Sequence, residues 1–125
     1  LVSKGDFIMF VKLKLNENLA IGTVVSYNSE NDCWSTASND SGMIGVVGRE
    51  AVQNTETLQW TAAIYFSGTV YAIADRSIPD QGGNLCVSNG RVFVDNSMPG
   101  CGIVAPKIEG QDSRIAGELI MVHLR

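Results

Sequence analysis

The 125-residue sequence has one histidine, three prolines and three cysteines, and only 7% of it is aromatic. With one imidazole, a Ser-His-Asp arrangement must run through His123, and no Gly-x-Ser-x-Gly elbow accompanies it. His123 reads instead as a surface or interface side chain, where a histidine could make assembly respond to pH between 5 and 8. Cys33, Cys86 and Cys101 stand far apart, with no Cys-x-x-Cys or Cys-x-x-His pair. They read as small apolar side chains in or near the core. The alternatives are one disulfide with one free thiol, or a tetrahedral metal site drawing on all three with His123. No run of about 18 apolar residues is present, which excludes a membrane-spanning helix. Positive charge is scarce: nine Lys and Arg against thirteen Asp and Glu leave a net charge of −4. That argues against a nucleic-acid partner and against adhesion to an anionic membrane, both of which need clustered cations. Leu1–Gly5 is not a secretory leader, and without an initiator Met the chain is expected to be trimmed or part of a longer one.

Helical periodicity is also missing. Only residues 48–53 and 108–116 offer room for a turn or two, and neither has sustained i, i+3, i+4 apolar spacing. Short runs of Val, Ile, Phe, Tyr and Thr between glycines, asparagines and serines take its place. They predict strands at 6–15, 21–27, 43–47, 58–66, 69–74, 84–88, 91–95, 102–105 and 118–125. Asn89-Gly90, between two of these runs, predicts a tight hairpin. The polar stretch 28–41 reads as a long loop with a short strand at 33–36. Trp34 within it either folds back onto the core or stands out as an anchor for a partner. Residues 1–125 thus predict a single all-β domain, a compact β-barrel or β-sandwich with little helix.

Alternation assigns faces. Phe7, Met9, Val11, Leu13 and Leu15 share one side of the first strand; Ile8, Phe10, Lys12 and Lys14 share the other. Trp60, Ala62, Ile64 and Phe66 share a side of the fourth. Two related halves are legible as well. Ile44-Gly45-Val46-Val47 resembles Cys101-Gly102-Ile103-Val104, 57 residues on, and Ala62–Phe66 resembles Ile120–Leu124, 58 residues on. Gly5–Met9 resembles Gly83–Val87. If Ile64 and Phe66 face the core, so do Val122 and Leu124, which turns Leu119, Met121 and His123 outward to a sheet or subunit that covers them.

Signals for chemistry are weak. Asp75 with Asp80, or Glu109 with Asp112, could serve glycoside hydrolysis only if they converged on a cleft, and solvated loop charges explain them equally. Gly42–Gly48 has neither the Lys-Ser/Thr of a phosphate loop nor G-x-G-x-x-G spacing, so its glycines are read as allowing close strand packing. Asn39-Asp40-Ser41 is a glycosylation sequon without a leader, and no ordered series of calcium ligands occurs. The sequence predicts no catalytic residue, no cofactor and no metal.

The order of phrases is more telling: Gly5-Asp6 before an apolar strand, a polar stretch, Ile44-Gly45-Val46-Val47, and a strand ending at Gly68 before Thr69-Val70-Tyr71-Ala72. Gly83-Asn84-Leu85, a hairpin, Gly102-Ile103-Val104 and a closing Ile120-Met121-Val122-His123-Leu124-Arg125 follow. Over 5–125 this resembles the small β-rich capsid decoration and head-fibre proteins of tailed bacteriophages. The resemblance implies a non-catalytic virion structural protein on the capsid surface, cementing the particle, with the major capsid protein or another virion platform as partner and a homotrimer as the assembly. It supplies no invariant functional residue, and the flexible N-terminal arm of many such proteins is expected to be absent or cut away, since the strand pattern begins near residue 5. Trp34, Leu119, Met121 and His123 are the candidate interface residues. Two other readings remain. One is a carbohydrate- or receptor-binding β module of a viral fibre, stacking sugars on Trp34 or Tyr27. The other is a fragment of a larger β-rich enzyme.

Overall fold

The computed structural model describes residues 10–125. The 6–9 part of the first expected strand, with Phe7, Ile8 and Met9, lies outside the described residues, as does the Gly5–Met9 member of the repeat. Eleven strands and no helix are described: β1 Phe10–Leu15, β2 Val24–Asn28, β3 Cys33–Thr36, β4 Ile44–Val47, β5 Val52–Gln53, β6 Trp60–Tyr65, β7 Gly68–Ile73, β8 Gly83–Ser88, β9 Arg91–Val94, β10 Gly102–Val104 and β11 Leu119–Leu124. The turn sites proposed at 48–53 and 108–116 are not helical. The first holds β5, which pairs Val52 with Thr61 and Gln53 with Trp60. Two residues are too few to show any periodicity.

The first half closes into a five-stranded barrel. β6 pairs with β1 and β4, β4 with β2, and β2 with β3. A parallel contact of Leu15 with Trp34 shuts the ring. Closure removes the exposed edges that a five-stranded sheet would otherwise present. Leu15, Val25, Trp34, Val47, Ala62 and Ile64 fill the interior, joined by Leu13, Trp60 and Phe66. The second half is a five-stranded sheet in the order β7-β11-β10-β8-β9. It curls until a parallel bridge between Ala74 and Val92 joins its two ends.

The two halves share one topology. β1, β2, β3, β4 and β6 correspond in order to β7, β8, β9, β10 and β11, and each pairing in the first has its counterpart in the second. Register makes the match residue by residue. Leu15–Trp34 answers to Ala74–Val92, Val25–Gly45 to Leu85–Gly102, and Val46–Tyr65 to Ile103–His123. The 57- and 58-residue offsets read from the sequence are those of the structure. Gly83–Val87 belongs to β8, however, whose counterpart is β2; by register the residues that match it are 23–27, not Gly5–Met9. A glycine followed by apolar residues is too common a phrase to fix register alone. Asn89 and Gly90 sit at φ 47° and 79°, both positive as the expected two-residue hairpin turn demands.

Paired valines join the halves. Val25 and Val47 point into the first barrel, while their neighbours Val24 and Val46 point out of it. Val24, Val46 and Ala37 are buried in one cluster with Val70, Ala72, Leu85, Val92 and Val122 of the second half, and Ile44 and Tyr65 pack against it. The outer face of β2, β4 and β6 is therefore covered by the second half, at the seam between β7 and β9. Backbone bonds hold the joint: the Val24 amide donates to the Gly90 carbonyl (2.8 Å), Gly90 to Ala37 (2.7 Å), and Ile73 to Gly22 (3.0 Å). Gly45 has no room for a side chain, since a Cβ there would lie 2.4 Å from Ile64.

Candidate interaction face

On β11, burial alternates strictly: Ile120, Val122 and Leu124 point inward, Leu119, Met121 and His123 outward. Leu119 is 50% exposed and Met121 52%. Register extends this outward set across three strands. Tyr71 of β7 stands opposite Met121, Thr69 opposite His123, and Ile103 of β10 on the far side of His123. Tyr71 and Ile103 are both exposed. The His123 ring Nδ1 lies 3.5 Å from the Thr69 hydroxyl, at the outer limit of a hydrogen bond. Three of the four residues expected at an interface thus share one face, together with two that alternation along a single strand does not identify.

Trp34 is elsewhere and only 9% exposed. It lies in the first barrel, 5.2 Å from the Phe66 ring and 5.8 Å from Tyr27, centroid to centroid. The reading of Trp34 as an exposed anchor, or as a sugar platform, is corrected: its bulk closes the barrel. Tyr27 is the exposed partner, and its hydroxyl donates to Asp32 at 2.7 Å. That bond, with the Asp32 charge behind it, raises the phenol above its usual range. Tyr27, Asp32 and Trp34 line a groove of about 330 Å³ with Lys12, Leu13 and Lys14.

Beside the β11 face, the 105–118 connection overhangs a cleft of about 350 Å³ lined by Tyr71, Leu119, Met121, Ile108, Asp112 and Glu118 among others. Arg114 pins this connection down. Its guanidinium donates to the Ala105 carbonyl (2.8 Å) and the Pro79 carbonyl (2.9 Å), and its own carbonyl accepts from the Ile78 amide. The side chain is buried, with no partner for Nε among the described residues. Arg114→Ala leaves two carbonyls unmatched, and a loss of about 2–3 kcal/mol in chemical denaturation is the expected result. Arg114→Lys should recover little, because one ammonium does not span both acceptors in the guanidinium's fixed fork.

Asp75 pairs with Arg76 (2.9 Å) and Asp80 with Lys107 (3.6 Å), so each carboxylate of that pair already faces a cation. No group of three or more His, Cys, Asp or Glu could hold a metal among the described residues. Cys33 and Cys86 are buried and Cys101 half-buried, all as free thiols. Burial pushes the Cys101 thiol up to about 11, so little thiolate forms near neutrality. Iodoacetamide should modify Cys101 slowly at pH 8 and faster only as pH climbs; alkylation at the rate of an exposed thiol would contradict this.

The candidate site is the exposed β11 face together with the cleft beside it. No family model matches the chain, and no curated protein or solved structure is similar to it. Geometry and sequence alone carry the functional reading.

Proposed function

We propose that this is a non-catalytic virion structural protein, a capsid decoration or head-fibre protein that assembles as a homotrimer on the outer surface of a phage particle and stabilises it. One observation carries the reading: Tyr71, Ile103, Leu119 and Met121 stand exposed on one face of three adjacent strands, with His123 and Thr69 among them. Contiguous exposed apolar surface on a small domain marks a place where another protein binds. The order of sequence phrases supplies the kind of platform, with the major capsid protein as the partner. The carbohydrate-binding alternative is weakened by the burial of Trp34, which leaves Tyr27 as the exposed ring of that pair.

An antibody raised against the purified chain tests the reading on particles propagated from the genome that encodes it. Immunogold labelling of intact particles, with the chain co-sedimenting through a density gradient, is expected. Intact and disrupted particles that both lack the chain would overturn it.

A further inference from the structure

We infer that the uncovered face of the second half is covered by the first-barrel groove of a second copy of this chain, in a head-to-tail contact. This deepens the assembly part of the proposed function and does not depend on the platform being a virion.

The argument comes from the duplication. Within one chain the joint between halves uses two surfaces: the outer face of β2, β4 and β6 on the first half, and the β7–β9 seam on the second. Because the halves repeat, each surface has a counterpart at the opposite end of the molecule; the β8 part of one is covered within the chain by the 95–98 turn, where Asn84 donates to the Met98 carbonyl (2.7 Å) and Cys86 is buried, and its β10 and β11 part stays exposed. The counterpart of the covered face is the outer side of β8, β10 and β11, and its exposed part, with Ile103 and His123, belongs to the β11 face. By register, Val46 corresponds to Ile103 and Tyr65 to His123. Val46 is wholly buried, whereas Ile103 is 45% exposed. The counterpart of the seam is the groove on the first barrel. Ile73, Gly90 and Val92 at the seam correspond to Lys14, Asp32 and Trp34, and all three line the groove of about 330 Å³. Asp32, the residue that corresponds to Gly90, also has a positive φ, although its turn is two residues longer.

Charge fits the same docking. Lys12 and Lys14 flank the groove, and Asp112 and Glu118 flank the β11 face beside its cleft. All four are exposed. Opposite charges at the rims of an apolar contact set register and suppress wrong pairings. A contact between two different surfaces repeats from copy to copy, so it closes into a ring such as a trimer or extends as a filament.

The test separates this contact from a self-complementary one. Light scattering of the wild-type chain should give a mass several times 13.4 kDa that falls on dilution. Met121→Glu places a charge on the face, and Lys12→Glu with Lys14→Glu reverses the groove; each variant alone should be monomeric. All three positions are exposed, so circular dichroism and melting should match those of the wild-type monomer. Mixed in equal amounts, the two variants should form a species of two chains and nothing larger, because only one good face and one good groove are then available. A wild type that stays monomeric, a lysine double variant that keeps the wild-type mass, or a mixture that remains monomeric would each overturn the inference. Particles without the chain, with the mixing result intact, would sink the virion reading alone.

Discussion

Val46→Asp should all but abolish folding, while Ile103→Asp, at the corresponding position of the repeat, should leave the isolated chain nearly as stable as before. Val46 is wholly buried where the halves meet. A carboxylate there must either lose its hydration unpaired or stay protonated, and no cationic side chain is in that cluster. A loss of about 4 kcal/mol or more is expected, which consumes most of the stability of an ordinary small domain. Ile103 faces outward, and a polar substitution there belongs to the class that usually changes stability by about 0.5 kcal/mol or less. Urea denaturation of both variants, at a dilution where the chain is monomeric, measures the contrast. Equal losses would mean that the β10 face is covered within the chain after all.

Trp34→Ala should cost about 3–5 kcal/mol, the range for removing a large aromatic from a packed interior. The indole occupies the point where β3 meets β1 and the barrel closes, and it packs edge-on against Phe66. Its loss opens a cavity at the seam and leaves Leu15 without a neighbour across the closure. Trp34→Phe should recover a large part of the loss. Denaturation followed by far-ultraviolet circular dichroism distinguishes this from a surface role, for which both substitutions would be nearly neutral.

Much of the fold was legible in the residues. The β11 pattern assigned Val122 and Leu124 inward and Leu119, Met121 and His123 outward because alternation with period two allows nothing else once one residue is placed. The Gly45 and Gly102 phrases aligned the halves correctly. Three things were hidden. Tyr71 and Ile103 join the face only through register between strands, which no single strand encodes. Alternation also did not show that Val24 and Val46 would be buried on the side opposite Val25 and Val47, because the covering surface comes from the other half. For Trp34 the residues left two readings open, and the one that folds it back onto the core is borne out; what its Asn, Asp and Ser neighbours hid is that it closes a barrel from within a hairpin.

The dependence between the halves is uneven, although each covers apolar surface of the other. Among the described residues, every member of the first barrel's interior comes from positions 13–66, so that cluster draws on nothing from the second half. The second half's cluster differs: it includes Val24, Ala37 and Val46, which belong to the first. On the ribosome, where the N-terminal part emerges first, the barrel can close as soon as residue 66 is clear. The later strands then condense on a surface already in place. The order of synthesis and the order of need coincide, and reversing the two halves in an engineered chain would take that template away.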